Sequence, residues 1–317
     1  MLAFKKEGWY NRVDRCKRKE FPMKKTKDIR IRDPYILAYN GAYYLYGTIN
    51  ETKARELYVH KSRDLENWEE PSVIYTLSDN SWAQDQLWAP EVHAYRDKFY
   101  LFVSIRGKNG LRGTEISVSD TPEGPFVPIS DKPATPEGQS CIDGTLYVED
   151  GRPYMIYSHD WPDCYSEADG AYNGEIAAVE LSEDLTHPIG EPFLLFTSKD
   201  APLSGNNPTF GKWGEKDIVR YGSDGPFVTK LSDGRPFILW SPIPGGNYVV
   251  LGAVADSIRG NWHHCETEVF ADNGGHPMVF TDFDGEKHLV IHWPEVYWHE
   301  NPRFLPLVEK DGQISLK

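Results

Sequence analysis

Five polar residues stand where hydrophobic strands begin: Asp33 in "IRDPYILAY", Glu91 in "WAPEVHAY", Asp143 in "CIDGTLYVE", Asp224 in "SDGPFVTK" and His276 in "GGHPMVF". Aspartate is a poor strand former, and a buried unpaired carboxylate is expensive, so packing does not account for them. Carboxyl groups gathered in one place can do general acid–base work, one taking a proton and another supplying it. All five precede a recurring anchor. A turn followed by an aromatic-aliphatic strand appears as "NGAYYLYG", "RDKFYLFV", "DGRPYMIY", "DGRPFILW" and "DGEKHLVI", centred on Tyr44, Tyr100, Tyr154, Phe237 and His288. Asp33 and Asp143 lie 11 residues before their anchors, His276 12 and Asp224 13, while the stretch Trp88 to Glu91 lies 12 to 9 before its own.

The elements that must position these residues follow from the same spacing. The anchors recur at intervals of 56, 54, 83 and 51 residues. The long interval carries an insertion around "WPDCYSEADGAYNGE" and "SKDAPLSGNNPTFGKWGEK". Asn40-Gly41, flanked by alternating apolar residues, is a strong hairpin signal. Each unit continues into a second, more polar strand pair such as "YVVLGAVADSIRGNW". Units of about 50 residues with four short strands each read as a β-propeller. The expectation is an all-β chain, a five-bladed propeller in one domain over residues 1–317. Its blades run from about residue 26, and residues 1–25 form an extension outside them. A β-sandwich with accidental spacing is the competing fold. In a propeller the first strand of every blade lines the axis, so the five polar residues should converge on one axial pocket.

Composition narrows the class. The chain has 317 residues, 39% of them hydrophobic, with 10 Trp, 18 Tyr, 14 Phe, 27 Gly and 23 Pro. Aromatic strands and frequent turns fit an all-β protein. A net charge of −14 argues against a nucleic-acid partner, and the surplus aromatics suit a carbohydrate, whose ring faces stack on indoles and phenols. Cys16, Cys141, Cys164 and Cys265 lack CxxC spacing, which argues against a zinc site or a disulfide scaffold. No secretory signal or membrane span is visible, so a cytoplasmic protein with no membrane partner is the expectation.

Taken in order, "RDPYI", "QLWAPEVHAYRDKFYLFVS", "IDGTLYVEDGRPYMIYSH", "DGPFVTKLSDGRPFILWS" and "GGHPMVF" make nearly the whole chain resemble glycoside hydrolase family 43. These are five-bladed propellers that cleave arabinose- and xylose-containing glycans. The resemblance implies an inverting mechanism, with Asp33 as general base and Asp143 as the aspartate that orients the acid and tunes its pKa. Asp224 stands in place of the family's glutamate in a Glu-Gly-Pro motif, the general acid. His276 matches a histidine near a bound calcium or its waters, so a structural calcium is implied there, with no cofactor required for the chemistry. A third aspartate beside the acid would keep it protonated, and Arg32, turned inward, would keep Asp33 ionised.

Aspartate is one methylene shorter than glutamate, so Asp160 in "SHDW" and Glu175 in "NGE" stay open as the acid. Glu123 in "TPEGPF" lies in the outer part of a blade and is set aside. Arg32, Trp88, Glu91, Phe227 and His276 are the expected substrate-binding residues. Trp161, Trp240 and Trp293 are further candidate platforms, Tyr35 a further wall, and His93, His159 and His292 structural. The implied partner is an oligosaccharide or glycan and the implied activity removal of terminal pentoses, α-L-arabinofuranosidase ahead of β-xylosidase, with the long loop of the third unit closing one end of the pocket. The rivals are a sugar-binding propeller without hydrolysis, and a hydrolase or phosphorylase of similar shape acting on another sugar.

Overall fold

In a computed structural model that describes residues 23–49, 51, 53–202 and 207–317, the chain is all-β, and turn chemistry sets its first hairpins. Asn40 and Gly41 both take positive φ, 48° and 71°. That is the two-residue turn whose twist matches paired strands, and it brings Tyr39 opposite Ala42. Arg96-Asp97 and Asp150-Gly151 repeat it between Tyr95 and Lys98 and between Glu149 and Arg152.

Five sheets, numbered one to five along the chain, each open on such a pair of strands. Their first strands are Arg32–Tyr39, Ala83–Tyr95, Cys141–Glu149, Ser223–Lys230 and Gly275–Thr281. Their second strands are Ala42–Thr48, Lys98–Gly107, Arg152–His159, Pro236–Pro242 and Lys287–Trp293. Sheets two to five have four strands, and sheet one has six. The second strands lie in the middle of their sheets, and Ala42–Thr48 is buried along its whole length. The first strands pack on one another: that of sheet one on those of sheets two and five, that of sheet three on those of sheets two and four, and that of sheet four on that of sheet five.

All five first strands carry an irregularity of register, between Arg32 and Tyr35, Trp88 and Glu91 (midway along the longer strand of sheet two), Ile142 and Thr145, Asp224 and Phe227, and Gly275 and Met278. Within each lies a residue of positive φ: Asp33, Ala89, Asp143, Gly225 and His276. Such bulges re-aim side chains, and here they turn the start of each strand towards the same end of the molecule. Four of these residues precede proline, which a bulge tolerates because no ladder N–H is needed there.

Two expectations change. The insertion in the third unit is not a loop. Its strands Tyr165–Ser166, Ala171–Asn173, Thr209–Trp213 and Lys216–Tyr221 form a sixth, four-stranded sheet. The turn at Gly214, with φ 64°, folds Trp213 back onto Lys216. Lys24 and Lys25, expected outside the repeating units, pair with Trp68 and Asn67 at the edge of sheet one. The remainder of the expected extension, 1–22, lies outside the described residues.

Candidate active site

The five bulges surround a cavity of about 440 Å³ whose lining includes Arg32, Asp33, Trp88, Asp143, Asp224 and His276. A ring of side chains holds the bulges in place. Thr48, Ser104, Ser158, Ser241 and His292 lie on the second strands, opposite Arg32, Trp88, Ile142, Asp224 and Gly275. Each reaches across to another sheet. The N–H groups of Ala89, Asp143 and His276 donate to the hydroxyls of Thr48, Ser104 and Ser241, at 2.7, 2.7 and 3.0 Å. The Ser158 hydroxyl donates to the Ser223 carbonyl at 2.5 Å. The Asp33 N–H donates to His292 Nδ1 at 3.1 Å, which ties sheet one to sheet five.

Asp33 is held ionised. Burial alone would raise its pKa, but the His276 imidazole, then Arg32 and the Thr48 hydrogen bond outweigh it and bring the value down to about 2. The Thr48 hydroxyl donates to Asp33 Oδ2 at 2.6 Å, and His276 Nδ1 lies 3.3 Å from Oδ1. Arg32 acts through space, since its guanidinium is paired with Glu295 at 2.9 Å and Glu300 at 2.8 Å. Glu295 also accepts from His292 Nε2 at 2.6 Å. With Nδ1 accepting and Nε2 donating, His292 is fixed in one tautomer.

Asp143 and Asp224 behave in the opposite way. Burial pushes both pKa values up, and the neighbouring carboxylates push further: Asp33 chiefly on Asp143, and Asp143 chiefly on Asp224. Within this pair the charge favours Asp143. Its Oδ2 accepts the Gly225 N–H at 2.9 Å and lies 3.9 Å from His276 Nδ1, and a hydrogen bond to the ionised form favours it. The shared proton is therefore best placed on Asp224. Gly225 is needed for this approach, because a Cβ there would stand 2.9 Å from His276 Cγ. Asp160 also lines the cavity, its pKa raised to about 6 by burial against the opposing pull of Arg112. An ionised base beside a carboxyl that holds its proton is the division of labour that general acid–base catalysis requires.

The remaining expected residues divide. Trp88 lines the cavity with Arg112 stacked 4.0 Å from its ring centre, and Trp161 lines it from the far side. Glu91 and Phe227 do not line it. In sheet two the position matching Asp33 is Ala89, so Glu91 falls beyond the bulge, buried, with Oε2 2.8 Å from His93 Nε2. Phe227 packs edge-on against Tyr35, which in turn contacts His93. These three rings are core, so Tyr35 is no pocket wall. Trp240 is fully buried, and Trp293 donates to the Asp272 carbonyl under Arg303, away from the cavity. Glu175 lies off the cavity, paired with His159 Nδ1 at 2.8 Å. Glu123 pairs with Lys61 on the outside.

His276 does not fit a protein-built calcium site. Calcium takes six to eight oxygens, whereas the ring offers nitrogen, and the nearby carboxylates are Asp33 and Asp143. The repeat reading missed Thr48, Arg112 and Tyr248, the last lining the cavity and stacked on His292 at 5.4 Å. A signal for the ring of hydroxyls existed: Thr48, Ser104, Ser158, Ser241 and His292 each follow their anchor by four residues.

The model of the glycosyl hydrolases family 43 matches residues 26–304. The solved endo-arabinase of Bacteroides thetaiotaomicron is 33% identical, with a TM-score of 0.81 over 93% of this chain and 100% of that one. A thermostable family-43 glycoside hydrolase is 27% identical, with a TM-score of 0.76 over 90% and 92%. Among curated proteins, the xylosidase/arabinosidase 43A of Humicola insolens is 28% identical over 47% of this chain and 50% of its own. The chain spans about half the length of the first curated relatives it matches.

Proposed function

The chain belongs to the glycosyl hydrolases family 43, and from that premise we propose that it is an inverting hydrolase of arabinose- or xylose-containing glycans. In this reading it removes terminal pentoses, α-L-arabinofuranosides ahead of β-xylosides, and its five sheets are the five blades of a propeller. The cycle of first-strand contacts and the His292–Asp33 hydrogen bond between the last sheet and the first support the propeller.

The observation that carries the reading is one cavity holding a carboxylate at about 2, Asp33, beside Asp143 and Asp224 with raised pKa values. Asp33 takes a proton from a water molecule as the water oxygen bonds to the anomeric carbon. Asp224 gives its proton to the glycosidic oxygen as that bond breaks, and the charge on Asp143 keeps the proton on Asp224 until then. The product sugar carries the opposite anomeric configuration. A calcium near His276 would draw most of its oxygen shell from water, and every step here is carried by side chains of this chain.

Asp33→Asn is expected to slow hydrolysis of every substrate by about 10²–10⁴-fold, the usual worth of a general base. Asp224→Asn should cripple a natural glycan yet spare a p-nitrophenyl glycoside, whose phenolate leaves without a proton. Proton NMR of the first-formed anomer checks inversion, and a retained configuration would sink the mechanism. Asp160 is the second candidate for the acid, because it lines the cavity with a pKa of about 6. If Asp160→Asn shows the substrate split and Asp224→Asn does not, the acid is Asp160.

A further inference from the structure

Next to the first cavity lies a second, of about 570 Å³, and the two share Arg112, Asp160, Trp161 and Pro162 in their walls. Its far wall comes from the sixth sheet, through Phe210, Lys212, Trp213 and Arg220. One strand of that sheet leaves two large rings in solvent: Phe210 is 74% exposed and Trp213 49%. Both side chains sit on one short strand, where large rings in solvent are unusual unless they bind something. Trp213 is nevertheless fixed in orientation. Its ring packs edge-on against Trp161 and Tyr172, each 5.5 Å away, and Arg220 lies 4.8 Å from the centre of Trp161. Where the two cavities meet, the buried Nε of Arg112 has no acceptor among the described residues. An unpaired buried N–H is costly.

Resting on the hydrolase reading above, we propose that the second cavity is a subsite for the sugar units on the leaving-group side of the cleaved bond. The substrate is then a pentose oligosaccharide or polysaccharide that lies along both cavities, with its scissile bond beside Asp33 and Asp224 in the first and its leaving-group side passing Asp160 and Trp161 into the second. The chemistry matches that occupant. Indole and phenyl faces stack on the apolar faces of sugar rings, while Lys212, Arg220 and Arg112 supply donors to hydroxyls. The inserted sheet thus extends the cleft instead of capping it.

The test compares Trp213→Ala and Phe210→Ala with the parent chain on two kinds of substrate, p-nitrophenyl pentosides and arabino- or xylo-oligosaccharides of three to five units. Each variant is expected to lower kcat/KM on the oligosaccharides by about tenfold, mostly through KM, the worth of one apolar sugar face. Activity on the aryl pentosides should fall less than on the oligosaccharides, since a single aryl ring fills only the leaving-group position next to the cleaved bond. Trp213→Phe keeps an aromatic face and should recover most of the loss, which separates a platform from a misfolded sheet. Equal losses on both substrate kinds, or no loss on either, would overturn the subsite while leaving the hydrolase reading intact. Retention on an arabinoxylan affinity gel covers the converse case. If the parent chain hydrolyses nothing yet is retarded by the gel in a Trp213-dependent way, the cavity binds sugar, but the hydrolase reading fails and the leaving-group assignment falls with it.

Discussion

Thr48 has one proton to give, and its surroundings decide where it goes. Its oxygen accepts the Ala89 N–H at 2.7 Å, which leaves the hydroxyl hydrogen for Asp33 at 2.6 Å. One side chain thereby fixes a neighbouring strand and keeps a carboxylate charged. The opposite holds at Asp224, which is buried among carboxylates that raise its pKa. A carboxyl whose folded pKa exceeds its unfolded value of about 3.9 binds more protons folded than unfolded. Stability then falls as pH rises from near 4 towards the folded pKa. Asp224→Asn removes that loss, so the variant should melt higher than the parent at pH 7 and about equally at pH 4. Raising a carboxyl's pKa by one costs about 1.4 kcal/mol at a pH where the group must ionise. In a chain of this size each kcal/mol moves the melting temperature by roughly 2–4 °C. Scanning calorimetry across that range checks it, and a gain of the same size at pH 4 would rule out carboxylate crowding as the cause. Asp33 contributes in the other sense: its depressed pKa adds stability that is present above about pH 4 and lost as pH falls towards 2.

The bulge is the element that makes these residues a site, and it explains what the sequence did and did not disclose. Asp33, Asp143 and His276 were legible because each sits at the bulge of a strand whose anchor can be counted back to. Glu91 misled because the count does not show which residue of "WAPE" takes the positive φ. That residue is Ala89, and beyond it the two-residue period of the strand points Glu91 inwards. Thr48 and its counterparts carried a usable spacing, but small hydroxyls on a buried strand have no chemistry of their own to attract notice. The sixth sheet was illegible as a sheet because its two hairpins join across a long stretch, Tyr172 with Arg220 in parallel, and no local pattern encodes such a partner. Gly225 gives the test at this scale. Ala there meets both a φ of 51° and the His276 ring, so Gly225→Ala should push His276 away from Asp33. Losing its leading opposing charge, Asp33 should titrate higher, and the acid limb of the pH–rate profile should move towards neutral pH. An unmoved limb would show that His276 does not set the Asp33 charge.

At the scale of the molecule, a site built from five sheets depends on the seam where the last meets the first. Polar contacts bind it. Asn301 Nδ2 donates to the carbonyls of Lys27 at 2.9 Å and Ile29 at 2.6 Å, and the Ile31 N–H donates to Glu300 at 3.2 Å. Arg32 bridges to Glu295 and Glu300, and His292 receives the Asp33 N–H. Cys141, Cys164 and Cys265 are free, so among the described residues no disulfide locks the seam. An open array of repeats loses its ends first, whereas on the propeller reading every sheet has two neighbours and none is an end. Opening the seam should therefore release all five together. The expectation is a single calorimetric transition, with loss of activity coincident with loss of structure by different probes. Asn301→Ala leaves the part-buried Ile29 carbonyl short of a donor, a cost of about 1–3 kcal/mol. It should lower that one melting temperature without splitting the transition. Two separated transitions in the parent chain, or a variant that melts first over one part while activity persists, would show that the sheets stand independently and that the seam does not hold the site together.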